Sequence, residues 1–104
     1  MNMSIEVVSV AIRTRRVIQF YYASGTKPGV RIVEPHMIAY NQKNHLVMSG
    51  WLQMGVSSSG GHGWREYLVA SMSEIVLLDE MFTGPRPGYQ ADGGKKFHSI
   101  QCCI

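Results

Sequence analysis

A proline sits near the middle of the longest extended run in this chain. Residues 30–40 read VRIVEPHMIAY, β-branched and aromatic enough for a strand, yet Pro35 has no N–H to give a ladder. A strand of this kind bends, bulges or runs along an edge at the proline. The runs around it are short. Residues 17–22 (VIQFYY) put Ile18, Phe20 and Tyr22 on one face. Gly25, Pro28 and Gly29 then break the run. Residues 41–44 form a polar turn into a third strand, 45–52. Its Leu46, Met48 and Leu52 face one way, and His45, Val47, Ser49 and Trp51 the other. A loop follows over 55–63 (GVSSSGGHG). A fourth strand is predicted over 64–72 and a short fifth over 73–78.

Ahead of these strands, residues 4–16 read as a helix. Ser4 can cap it, and Glu6 early with Arg13, Arg15 and Arg16 late suits the helix dipole. Ile5, Val8 and Ile12, with Ala11, make one apolar stripe; Val7 and Val10 lie off its centre. After the strands, Gly84-Pro85-Arg86-Pro87-Gly88 suits no regular element, and the apolar end 97–104 is expected to dock back on the body. The division is therefore 1–83 for helix and barrel, with 84–104 a linker and extension packing against it. One helix and about five short antiparallel strands are a mainly β, α+β pattern. A small SH3-like or Sm-like antiparallel barrel removes most of the open edges such strands would leave.

Composition narrows the class. The chain has 104 residues, 45% hydrophobic and 16% charged, with a net charge of +3, which is one small globular domain. No apolar run reaches the ~18 residues a membrane span needs. Residues 1–6 lack the basic start of a signal peptide. The two cysteines, Cys102 and Cys103, are adjacent and cannot staple distant parts of the fold. A reduced, cytoplasmic protein is the expectation.

In the order of its motifs, the stretch 11–82 resembles the WYL domain. The resemblance rests on the helical pair Ala11-Ile12, the strand ending Phe20-Tyr21-Tyr22, and the run Arg31-Ile32-Val33-Glu34-Pro35. It continues through Arg65-Glu66-Tyr67 and Leu78-Asp79-Glu80-Met81-Phe82. Two positions depart from the pattern. Asn44-His45-Leu46 stands where the naming tripeptide would open the third strand, and Ser71 where a further Arg is usual. The resemblance implies an Sm-like barrel with a sensory role. It implies binding of nucleic acid or nucleotide-like ligands and regulation of transcription or associated effectors, and it does not imply catalysis.

The residues themselves offer a matching chemistry. Arg13, Arg15, Arg16, Lys27 and Arg31 follow one another with no acid among them. Guanidinium groups beside aromatic rings suit phosphates and bases. The competing reading of Arg13, Arg15 and Arg16 is a solvated helix end. Arg31 and Arg65 are the stronger candidates for clamping one anionic group, with Tyr22, His45 and Trp51 shaping the pocket and Arg15 and Arg16 nearby. The alternative pairs Arg31 with Glu34, or Arg65 with Glu66 or Glu74. Glu34-Pro35 reads as structural, with Glu34 holding a loop amide or an arginine. Trp51 and Trp64 suit stacking on a base; the competing reading is that they fill a core or cover a barrel mouth.

Little else points to chemistry. His36, His45, His62 and His98 are spread singly, without metal-ligand spacing, so neither a metal nor a cofactor is expected. Ser57, Ser58, Ser59 and His62 lie in one glycine-rich loop and form no nucleophile elbow, so no enzyme is expected. Two functions follow: a non-catalytic sensor of an anionic ligand, acting through an oligomer or a partner, or a structural module that self-associates through barrel edges.

Overall fold

The apolar stripe of the helix is what seats it. In the structure, a computed structural model describing residues 3–23, 27–55 and 63–104, α1 (Met3–Thr14) buries Val8, Ala11 and Ile12 and leaves Glu6, Val10 and Arg13 in solvent. It packs over β2 (Gly29–Asn41) and touches β1 (Arg16–Tyr22), β5 (Met72–Met81) and β6 (Phe97–Cys103). The helix ends two residues before the predicted Arg16. Thr14 Oγ1 donates back to the Val10 carbonyl at 2.7 Å, Arg15 takes a left-handed φ of 56°, and Arg16 already opens β1. Arg13, Arg15 and Arg16 therefore do not share one helix end.

Six antiparallel strands form one sheet among the described residues, one more than predicted, and with α1 they make a small α+β, barrel-like domain. The hydrogen-bonded order is β4-β3-β2-β1-β5, with β3 (Leu46–Gly55) and β4 (Gly63–Leu68), while β6 also pairs with β2. The apolar end of the chain is thus part of the sheet.

Pro35 decides this arrangement. β3 accompanies β2 on one edge, from Arg31↔Gly55 to Tyr40↔Leu46. The other edge changes partner at the proline. Before it, β2 pairs with β1, from Tyr22↔Gly29 to Ile18↔Val33. After it, β2 pairs with β6, from Met37↔Cys103 to Asn41↔Phe97. The register against β3 also slips between Pro35 and Met37. The strand therefore bends and bulges in the middle of the sheet rather than running along its edge. Gly50 faces Pro35 across the ladder, and a Cβ there would lie 2.6 Å from Val33 Cγ1 and 2.7 Å from the Glu34 carbonyl oxygen. Only glycine lets the two backbones approach so closely.

The predicted fourth strand stops early. β4 ends at Leu68, and Val69–Ser71 turn as a 3-10 helix with Val69 buried. Two hydrogen bonds tie this corner to the end of β1: the Leu68 N–H donates to Tyr22 Oη at 2.9 Å, and the Ala23 N–H to the Ser71 carbonyl at 3.0 Å. Beneath it, Phe20, Tyr22 and Tyr67 meet edge to face, with Phe20–Tyr67 centroids 5.2 Å apart and Tyr22–Tyr67 centroids 4.9 Å apart. Such pairs add about 0.5–1.5 kcal/mol beyond the area they bury. No helix among the described residues is long and apolar enough to cross a membrane.

Candidate functional site

Arg31 faces the interior. It pairs with Phe20 across the β1–β2 ladder and is in phase with buried Val33, whereas its neighbour Val30 is exposed. Only 5% of Arg31 is exposed, and its guanidinium lies 5.9 Å from the centre of the Tyr22 ring. Its Nη groups donate to the main-chain carbonyls of Lys27 and Val30. Arg65 shares a strand face with Tyr67, two residues on, and its Nη1 donates to the Trp64 carbonyl at 2.7 Å.

These two arginines meet at Tyr67. Its ring is buried in the aromatic cluster; the Arg31 guanidinium approaches its hydroxyl oxygen, and its O–H meets no acceptor among the described residues. Burial pushes the phenol above its ordinary 10, and the nearby charges of Arg31 and Arg65 pull it down without cancelling that rise. A buried O–H flanked by two guanidiniums is chemically a receptor for an oxyanion.

Two of the carboxylates that the sequence offers as partners for these arginines have other cations on them. Glu34 takes Arg86, with Nε–Oε1 at 2.9 Å and Nη2–Oε2 at 2.7 Å. Glu66 takes Lys96 at 3.0 Å. No carboxylate among the described residues forms an ion pair with Arg31.

The other candidate residues lie apart. Tyr22 joins the cluster through its ring. Trp51 alternates away from it, pairs with Glu34 across the β2–β3 ladder, and sits 5.0 Å beneath the Arg86 guanidinium. His45 is exposed in the β2–β3 turn, where its main-chain N–H donates to Asn41 Oδ1. Arg15 Nη1 donates to the Thr83 carbonyl, and Arg16 donates to the Leu78 carbonyl and pairs with Asp79. Both are drawn to the end of β5, since the left-handed Arg15 turns the chain that way. Trp51, His45, Arg15 and Arg16 do not gather with Arg31 and Arg65. His62 and the 57–59 serines lie outside the described residues. Among those described, no group of three or more His, Cys, Asp or Glu is placed to hold a metal ion.

A second centre lies on the other side of the sheet; the sequence expects an arginine on Glu34, but not which one, nor the residues gathered around it. A strap, residues 83–96, runs between β5 and β6 and is fastened over β2, β3 and β4. Besides the Glu34 pair, the Arg86 main-chain N–H donates to His36 Nε2 at 3.2 Å, and Trp64 Nε1 donates to the Pro87 carbonyl at 2.7 Å. His36 is fully buried, and its Nδ1 lies 2.8 Å from the Glu34 carbonyl. The two contacts fix a neutral ring, with the proton on Nδ1 and Nε2 bare. Burial holds its pKa below the ordinary range. Trp64, Phe82 and Tyr89 pack around the imidazole. Burial, helped by Cys103, pushes the Tyr89 phenol up to about 12. Glu34 was a visible signal: a carboxylate in an apolar strand needs a cation, and Arg86 stands in a Gly-Pro segment that suits no regular element.

No family model matches the chain, and no curated protein matches it. Among solved structures, the fold is similar to part of the proteasome accessory factor B/C (PafBC) of Arthrobacter aurescens. The TM-score is 0.68 at 19% identity, over 88% of this chain and 14% of that one. At this identity the likeness is one of fold, and this chain spans about a seventh of the length of that protein.

Proposed function

We propose that this chain is a WYL-like, non-catalytic regulatory module that binds the anionic group of a nucleic acid or nucleotide-like ligand. The observation that carries the reading is the buried Tyr67 hydroxyl, flanked by Arg31 and Arg65, whose O–H meets no acceptor among the described residues. An incoming phosphate oxygen accepts from the phenol and from the guanidiniums, while Tyr22 offers an aromatic neighbour. The Arg31-to-Pro35 and Arg65-to-Tyr67 motifs and the fold shared with part of PafBC support the same reading. Binding acts by biasing an oligomer or a partner.

Fluorescence anisotropy of a labelled single-stranded oligonucleotide, and competition by nucleotides, tests it. Affinity falls as salt rises, and Arg31→Ala with Arg65→Ala abolishes binding. Salt-independent binding, or binding untouched by both substitutions, overturns the proposal.

A second reading rests on β5. This ten-residue strand pairs only with β1 among the described residues and exposes Val76 and Met81. Self-association along this edge is the structural-module alternative. Light scattering that reports a dimer broken by Val76→Lys favours it.

A further inference from the structure

Beneath the strap, Glu34, Trp51 and Trp64 stand in one row across the sheet. Glu34 pairs with Trp51 across the β2–β3 ladder, and Trp51 with Trp64 across β3–β4. The two indoles meet edge to face, with centroids 5.8 Å apart. Arg86 and Pro87 lie along this row. The Arg86 guanidinium takes both oxygens of Glu34 and lies 5.0 Å from the centre of the Trp51 ring. Its main-chain N–H donates to His36 Nε2, and the carbonyl of Pro87 accepts from Trp64 Nε1. The following residues are held as closely. The Tyr89 N–H donates to the Arg86 carbonyl at 3.2 Å, closing a turn with Pro87 and Gly88 at its corners and a φ of 91° at Gly88. A Cβ at Gly88 would lie 3.1 Å from Trp64 Nε1. The Tyr89 ring stacks on Trp64, 18° from parallel with centroids 6.2 Å apart.

In each of these contacts the sheet contributes a side chain rather than its main chain, and side-chain contacts of this kind read sequence. Arginine suits the first position because its guanidinium is planar, stacks on an indole and takes a carboxylate through two parallel hydrogen bonds. Proline sets the first corner of the turn, and the second needs the positive φ that glycine adopts freely. An aromatic ring then closes on Trp64. The row therefore reads Arg-Pro-Gly-aromatic, the order of residues 86–89. Its occupant is on the surface, but the row cannot stand empty. Residues 85–88 are exposed, whereas the Glu34 carboxylate beneath them is 1% exposed and His36 is fully buried. Lifting the strap leaves a buried carboxylate without its cation, which is costly. Exchange for another arginine on the same row avoids that cost.

We propose that the row Glu34–Trp51–Trp64, with His36, is a docking site for an Arg-Pro-Gly-aromatic turn of a partner protein, and that the strap is its resident occupant in cis. The docking residue is a cation, so the site is opposite in charge to the oxyanion receptor of Arg31, Arg65 and Tyr67. The strap competes at the effective concentration of a short tether, in the millimolar range, and so holds the partner off until it is weakened or outcompeted.

The test is titration of the intact chain with a synthetic peptide of residues 83–90, followed by the NMR shift of the Trp64 indole N–H. Arg86→Ala vacates Glu34 and Trp51. Gly88→Ala strains the turn and presses a methyl on Trp64 while leaving the arginine for Glu34, so it weakens the strap without stranding the carboxylate; it decides alone if Arg86→Ala unfolds. Each variant should bind the peptide at least about tenfold more tightly than the unaltered chain, because the competitor in cis is weaker. Citrulline in place of the peptide's arginine keeps the shape, removes the charge and should abolish binding. Alanine in place of its glycine should weaken binding about tenfold. Failure of the folded variants to bind overturns the proposal, as does equal affinity for the unaltered chain and both variants, or indifference to citrulline. In light scattering, a dimer of the unaltered chain that Arg86→Ala dissolves would give the row to the strap of a second copy and overturn the partner reading.

Discussion

Arg86 and Glu34 lie 52 residues apart and meet through two nearly equal hydrogen bonds, at 2.9 and 2.7 Å. The carboxylate is 1% exposed and the arginine side chain 43%, so the pair is half interior and half surface. Gln53 Nε2 adds a third donor to Glu34 Oε2 at 2.7 Å. Together with the Arg86–His36 and Trp64–Pro87 hydrogen bonds, this contact holds an otherwise irregular segment against the bend of β2.

Arg86→Ala strands a buried carboxylate. Breaking a fully buried pair costs about 3–5 kcal/mol; solvent access on the arginine side lowers the expected loss here to about 2–3 kcal/mol. Adding Glu34→Gln to Arg86→Ala should recover part of it, because the stranded charge is gone. Urea denaturation of the four members of the cycle measures both values.

Acid should loosen the strap in two stages. Burial holds His36 below its ordinary 6.5, so its neutral form contributes in full above that value and the contribution is lost as pH falls below it. For Glu34, burial raises the carboxyl, but hydrogen bonds from Arg86 and Gln53, with the Arg86 charge, bring it below its ordinary 4.5. Its contribution is whole above 4.5 and is lost as pH falls toward the lowered value. Each stage has a slope of at most about 1.4 kcal/mol per pH unit. Melting temperatures measured from pH 8 to 3 should show both stages, and His36→Gln should remove the upper one.

Gly50→Ala should destabilise by about 1–3 kcal/mol, since the added methyl meets Val33 Cγ1 and a main-chain oxygen that cannot swing aside. The same substitution at half-buried Gly84 has room for the methyl, with nothing nearer than Arg15 Nη1 at 3.9 Å, and should be close to neutral. Thermal denaturation compares the two.

Arg31→Met keeps bulk and removes charge. Burial already raises the Tyr67 phenol and the Arg31 charge opposes it, so the substitution should push that phenol higher still. Ultraviolet titration of tyrosinate, with Tyr67→Phe to assign the step, reads the shift.

Most of the fold was legible because its elements carry strong local patterns. The helix stripe at Val8, Ala11 and Ile12 and the strand faces of Ile18–Phe20 and Met48–Leu52 are buried as the periodicities require. The boundaries that moved did so at non-local contacts. β4 gives way at Leu68, whose N–H finds Tyr22 rather than a ladder partner. The Phe97–Cys103 strand has no pattern that names its neighbour, and its partner is fixed only by the vacancy Pro35 creates on β2. The arginine pair was visible through its motifs. Its inward orientation was not, because alternation alone does not say which face of β2 meets the core. The strap centre was hidden for a related reason: Arg86 lies in a Gly-Pro context that reads as linker, and only tertiary structure brings it to Glu34.

The bend at Pro35 has a consequence for how the chain is made. β2 leaves the ribosome early, yet half of one edge waits for Phe97–Cys103, some sixty residues later. Until then the nascent polypeptide carries an open, apolar strand edge, the kind of surface that holdase chaperones shield.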